Sequence, residues 1–231
     1  MDSSANQNNN DSGQQLAGIY RHRFDGKQSY RDLVWRAILQ CRLQSWIGVD
    51  KVVLDLGCGW GEFSRNVSAS RLLCMDLNPD SRQFLPDHAE FIEQDCSEEW
   101  AIEPQSLDVI FTSNFFEHLP DKAALAQTLA HAAKALKPGG KIVCLGPNVA
   151  CLPGKYWDFW DHHIPLSDNS LAEGLTLAGF DVETQIPKFL PYTMSSGSEV
   201  PGFLIRTYLR MPFLWPLFGK QFLLVASFND Q

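Results

Sequence analysis

Long apolar runs are missing from this chain of 231 residues. A membrane-spanning helix needs ~18 or more consecutive apolar residues. The most apolar stretch, Phe203 to Val225, is broken by Arg206, Arg210, Pro212, Pro216 and Lys220, so no transmembrane segment is expected. Positive charge is also scarce. With 19 Lys and Arg against 27 Asp and Glu, the net charge is −8 and the pI about 5.2. That opposes long-range attraction to polyanions, and no nucleic-acid partner is expected. The cysteines Cys41, Cys58, Cys74, Cys96, Cys144 and Cys151 contain no CxxC pair. Neither a zinc cage nor a disulfide framework is expected, and no metal is assigned. Reduced thiols in a cytoplasmic protein fit the pattern better. Met1 to Gln15 is rich in Asn, Gln, Ser and Asp and lacks the apolar centre of a secretory signal. It reads as a disordered leader, residues 1–17, ahead of one globular domain, 18–231. No internal repeat is visible.

What is present is an alternation of strands and helices. Val52–Leu56, Arg71–Asp76, Ala89–Gln94, Leu107–Ser113 and Lys141–Leu145 read as buried strands. A helix over Tyr30–Ile47 precedes them. A second begins at Glu62 after the first strand, a short one opens at Pro79-Asp80, and another is capped by Asp121 and stopped by Pro138-Gly139-Gly140. Beyond Pro147 come an aromatic and acidic connection, Tyr156 to His163, and a helix capped by Ser167 or Asp168. A strand over Asp181–Ile186, helical character over Ile205–Trp215 and a last strand over Phe222–Ser227 follow. The alternation predicts an α/β fold with a mostly parallel sheet and helices on both faces. Ligands of such sheets bind beyond the carboxyl ends of the strands.

One of those ends is unusual. Val52-Val53-Leu54-Asp55-Leu56-Gly57-Cys58-Gly59-Trp60-Gly61 runs from a strand into glycines at alternate positions. Bare backbone there lets a ligand lie close. The spacing is GxGxG, not the GxGxxG that seats a pyrophosphate. Asp55 and Glu62 flank the loop and would repel a phosphate. A cationic ligand without phosphate suits it, and S-adenosylmethionine answers that description.

VLDLGCGWG resembles the glycine-rich cofactor loop of the class I S-adenosylmethionine-dependent methyltransferases. The resemblance runs from about Tyr20 to the C-terminus with its pieces in the family's order. It implies a single Rossmann-like domain whose seven-stranded sheet ends in an antiparallel strand. It also implies S-adenosylmethionine as cofactor. Gly57, Cys58, Gly59 and Gly61 would cradle it, and Asp55 would hold its amino group directly or through water. Asp76, followed by Leu77, would accept both ribose hydroxyls. Asp95 and Cys96 would lie near the adenine. Asn114 heads the segment Asn114-Phe115-Phe116-Glu117-His118 that flanks the transfer site in small-molecule enzymes. The Asn/Asp-Pro-Pro-aromatic tetrad of nucleic-acid amino-methyltransferases is absent there. Tyr20 and Arg23 would belong to an N-terminal lid over the methionine end.

Methyl transfer to oxygen benefits from a general base, and histidine titrates in the right range. The candidates are His162, His163 and His118, with the adjacent pair preferred for its aromatic and acidic neighbours. Adjacent residues on an extended segment face opposite ways, so at most one of the pair enters a pocket. The reading is thus an enzyme that methylates a small molecule, on a hydroxyl of a saccharide or secondary metabolite by resemblance. Carbon or nitrogen methylation, or a non-catalytic binding subunit, are the alternatives. Phe203 to Phe218 is read first as core packing. Covering the acceptor, dimerisation and membrane-surface contact are its other readings.

Overall fold

The computed structural model describes residues 28–192 and 199–229. The expected leader, Tyr20 and Arg23 lie outside the described residues. The chain begins with α1 (Gln28–Ile38), which continues through a π-helical turn, Leu39–Leu43, into a last α-turn, Gln44–Ile47. Then come β1 (Val52–Leu56), β2 (Arg71–Asp76), a 3-10 turn (Pro79–Phe84), β3 (Glu90–Glu93) and β4 (Leu107–Ser113). α2 (Lys122–Ala135) leads to β5 (Leu136–Pro147), and α3 (Asp168–Leu177) to β6 (Phe180–Leu190). α4 (Gly202–Arg210) and α5 (Trp215–Phe218) separate β6 from β7 (Gln221–Phe228).

The sheet order is β3-β2-β1-β4-β5-β7-β6. β7 alone runs against its neighbours, pairing antiparallel with β5 and β6. The two sheet faces carry separate cores. On one, Leu54, Ile110, Ile142 and Leu224 meet Leu125 and Leu129 of α2 and Leu171 and Leu175 of α3. On the other, Val53, Val109, Val143 and Val225 meet Ala37 and Ile38 of α1, with Leu209 of α4 and Trp215 of α5. Alternate residues of each strand feed opposite cores, as period 2 requires.

Local chemistry explains the boundaries. Asp121 caps α2 by accepting from the Ala124 amide at 2.9 Å. Ser167 rather than Asp168 caps α3, in a reciprocal capping box with Ser170. Two expectations fail. No regular helix follows the glycine loop, and residues 62–66 form successive turns. Gly61 is left-handed, the Ser64 hydroxyl is drawn to Asp55, and the Asn66 amide donates to the Glu62 carbonyl. Such side-chain bonds compete with helix in a segment this short. Also, Pro138-Gly139-Gly140 ends α2 but not the structure, because β5 starts at Leu136, paired with Leu107. The ladder absorbs the break as an irregularity between Leu107 and Val109.

Candidate active site

The carboxyl ends of β1, β2, β4 and β5 share one edge of the sheet, and there the predicted residues gather. Gly57, Gly59 and Gly61 have φ of +71, +47 and +68°, a region open to glycine at little cost. The amides of Gly57 and Cys58 both donate to the Met75 carbonyl, at 2.9 and 3.1 Å, which bends the loop back over β2. A Cβ at Gly57 would lie 2.3 Å from the Phe115 ring, and one at Gly61 2.8 Å from the Phe84 carbonyl. At Gly59 it would meet nothing within 4 Å. The cradle is therefore walled at both ends and open at its middle.

Asp76, at the end of β2, is tied to that middle. Its Oδ2 accepts from the Gly59 amide at 2.8 Å and its Oδ1 from the Asn78 amide at 2.9 Å. Burial pushes its pKa up, and the backbone donors and His118 pull against the rise. The Leu77 amide acts on the same carboxylate. A carboxylate has about four acceptor sites, so capacity remains for a further donor. Leu77 beside it is exposed.

Asp55 lies beneath the loop, buried, with Ser64 Oγ donating to its Oδ2. Burial raises its pKa to about 7, the Ser64 bond opposing and the nearby Asp76 and Glu62 adding to the rise. Glu62 differs from its expected part, because Arg31 bridges to it. Much of its repulsion toward an anion is thereby cancelled. Arg65 fastens the loop from the other side, donating to the carbonyls of Trp60 and Phe84, both at 2.6 Å, and pairing with Asp32 at 2.7 Å.

Asp95 closes a turn, accepting from the amide and hydroxyl of Ser97 at 2.8 and 2.7 Å. The Cys96 side chain points into the core against Thr128 Oγ1, 3.3 Å away. Cys58 is buried too. Asn114 follows β4 with φ of +49°, its amide held by the Leu145 carbonyl at 2.9 Å. That left-handed residue turns Phe115 onto Gly57.

After it, the short 3-10 turn Phe116–His118 meets the connection that follows β5. His118 Nδ1 donates to the Asp161 carbonyl at 2.9 Å and lies 3.3 Å from Asp161 Oδ2. The Glu117 carbonyl accepts from the amides of His163 and Ile164 at 2.8 and 3.2 Å. His162 is buried, stacked on Phe159 with centroids 5.0 Å apart, edge-on to Tyr156 at 4.9 Å and to His118 at 5.0 Å. His163 is exposed, so the two neighbours do face opposite ways. Burial lowers the His118 pKa, but the Asp161 bond and the carboxylates of Glu117 and Asp161 outweigh it. The net direction is upward.

Glu117, His118 and His162 bring one donor atom each within 4.8 Å of one another, the one such metal-ligating group among the described residues. The sequence reading overlooked Ser64 under Asp55, Phe115 over Gly57, and Asp161 as the partner of His118. Only Ser64 lies near its partner in sequence, and no spacing rule flags the others.

S-adenosylmethionine fits this set of groups. The loop is bare where a ligand would approach, a buried acid lies under it, and Asp76 keeps acceptor capacity for a ligand hydroxyl. Residues 27–185 match a family model described as "Methyltransferase domain". A ubiquinone biosynthesis O-methyltransferase of Idiomarina loihiensis is 36% identical over 104 residues, 40% of each chain. A 2-methyl-6-phytyl-1,4-hydroquinone methyltransferase of Synechocystis is 27% identical over 169 residues, 62% of this chain and 52% of that one. The match thus spans about two-fifths to one half of these curated relatives. A SAM-dependent methyltransferase from Archaeoglobus fulgidus superposes with a TM-score of 0.61 at 24% identity, covering 87% of this chain and 97% of that one. The N-methyltransferase NodS of Bradyrhizobium japonicum does so with 0.57 at 17%, covering 90% and 100%. These two likenesses show the fold. With the family match covering more than half of its length, the chain belongs to the class I S-adenosylmethionine-dependent methyltransferases.

Proposed function

We propose that this enzyme methylates a hydroxyl of a small molecule, with His118 as general base and Asp161 as its positioning residue. The cofactor supplies, when bound, a methyl group already activated by a sulfonium. The protein's part is then to align the acceptor, exclude water and remove a proton. In this reading Asp76 takes both ribose hydroxyls, the backbone of Gly57 to Gly61 lies along the ligand, and Leu77, Asp95 and Cys96 border the adenine. Asn114 and Phe115 shape the wall toward the acceptor. Asp55 acts from below, through water or by bracing the loop.

The observation that carries the reading is the His118–Asp161 pair at the ligand-binding edge, close enough to Asp76 for His118 to influence its titration. A carbonyl can only accept, so Nδ1 bears the hydrogen and Nε2 is the atom that receives the acceptor's proton as the carbon–oxygen bond forms. His162 supports the imidazole by an edge contact, and His163 stays outside. The names of the curated relatives favour a quinol ring as the acceptor over a saccharide.

Turnover of a hydroquinone or catechol acceptor with S-adenosylmethionine, with the product's O-methyl group identified by mass spectrometry, tests this. His118→Gln is expected to lower kcat by ~10²–10⁴-fold, the usual contribution of a positioned base. Binding of S-adenosylhomocysteine should stay near that of the parent. The parent's rate should rise with pH through a group titrating above the ordinary ~6.5 of histidine, and Asp161→Asn should move that limb downward. Near-normal kcat in His118→Gln, or activity lost to EDTA and restored by a divalent cation, overturns the base.

A further inference from the structure

We propose that the outer face of α4 and α5 is a docking surface for an anionic lipid bilayer. This goes beyond the methyl-transfer reading and does not depend on it. The segment between β6 and β7 buries one side and leaves the other bare. Leu209 and Trp215 enter the core, as the sequence led one to expect. Phe203, Leu204, Phe213, Leu217 and Phe218 do not, at 68, 46, 66, 71 and 58% exposed. Leu33 of α1 extends the patch, exposed and close enough to Gly202 that a Cβ there would lie 3.1 Å from it. Half of the exposed large apolar side chains among the described residues come from Val200 to Phe218. A water-facing helix normally turns polar residues outward, and contiguous exposed apolar surface marks an interaction site.

Charge selects the occupant. Between Glu199, exposed at its start, and Asp230, the segment carries Arg206, Arg210 and Lys220 and no acid, although acids outnumber bases overall. Lys188 joins them, its Nζ 3.4 Å from the Pro216 carbonyl. The nearest acid on α1, Asp32, is engaged by Arg65. A second copy of this chain packed about a two-fold axis would set these cations against their own copies. A neutral protein surface would leave them without partners. Anionic headgroups around an apolar interior satisfy both features, the aromatic rings entering the interface and the cations meeting phosphate.

Position adds weight. β6 ends and β7 begins at the ligand-binding edge, since Gln221 pairs with both Pro147 and Leu190. A bilayer on this face therefore lies at the same edge of the sheet as the cofactor loop.

Sedimentation with phosphatidylcholine vesicles, with and without phosphatidylglycerol, tests the proposal on the full chain. Binding is expected with the anionic vesicles and should weaken with salt. Arg210→Gln should reduce partitioning about fivefold, the worth of one cation at such a surface. Phe203→Ser with Phe213→Ser should reduce it at least about tenfold. Both variants should keep the parent's thermal midpoint and its turnover of a water-soluble acceptor, which separates a failure here from a failure of the catalytic reading. Protein wholly in the supernatant with both vesicle types overturns the proposal. So does a dimer in solution that the double serine variant dissociates.

Discussion

Two carboxylates at neighbouring strand ends do opposite work in the proposed site. Asp76 is held by the amides of Gly59 and Asn78 and keeps acceptor capacity. Asp76→Ala should weaken S-adenosylhomocysteine binding by ~1.5–3 kcal/mol, because hydrogen bonds to a charged acceptor are lost. Isothermal calorimetry measures this, and an unchanged Kd removes Asp76 from the site. Asp55 is sealed under the loop with its pKa raised to about 7. Its unfolded value is near 3.9. Between these values the folded state holds the proton more tightly, so stability falls as pH rises from ~4 to ~7 and stays reduced above. Asp55→Asn keeps an acceptor for Ser64 and never ionises. It should raise the thermal midpoint relative to the parent at pH ~8.5, with the gain shrinking as pH drops below ~7 and an upper bound of ~4 kcal/mol. A difference that does not vary with pH would mean that Asp55 titrates normally.

At the scale of elements, the glycine loop depends on β4 as much as on β1. Gly57 must be left-handed and must also leave room for Phe115. Gly57→Ala should therefore cost about 1–3 kcal/mol in urea unfolding, from backbone strain and overlap together. Combined with Phe115→Ala, the cost at position 57 should shrink to the strain alone, a coupling that a double-mutant cycle reads directly. Additive losses would show that the ring can move aside. β1, β2 and β4 were legible because their apolar runs are cut off at Gly57, Asp76 and Asn114, where the chain turns out of the sheet. The caps of α2 and α3 were legible because Asp121 and Ser167 act within three residues. The turns after Gly61 were not, since Ser64 and Asn66 bond to groups that periodicity does not weigh. Nor was the pairing of His118 with Asp161, 43 positions apart. The segment after β4 and the connection after β5 meet only because β4 and β5 are parallel neighbours. The preference for the adjacent histidines came from their local sequence. The proposed reading turns to His118 because its Nδ1 is held by the Asp161 carbonyl.

On the whole-molecule scale, the sheet is the wall between two cores, and the cysteines report on both. Cys96 and Cys144 lie in the layer under α2 and α3, while Cys58 and Cys74 lie under α1. All four are buried, and only Cys41 and Cys151 are partly open to solvent. Burial also drives the Cys144 thiol well above its ordinary pKa and Cys96 up to about 12. Neither reacts without opening the fold. Because every strand sends alternate residues into both layers, one layer cannot come apart without unpacking the strands that hold the other. Thiol labelling of Cys74 and Cys144 should then proceed at one common rate, set by global opening. With S-adenosylhomocysteine bound at the assembled loop as proposed, ~100 Kd of it should slow both by about 100-fold. Cys58 sits in that loop, where the ligand would shield it directly, which makes it unsuitable as a reporter. Mass-resolved labelling distinguishes the sites. If ligand slows Cys74 while Cys144 keeps its rate, the layers open independently, and the α1 side alone is coupled to the cofactor loop.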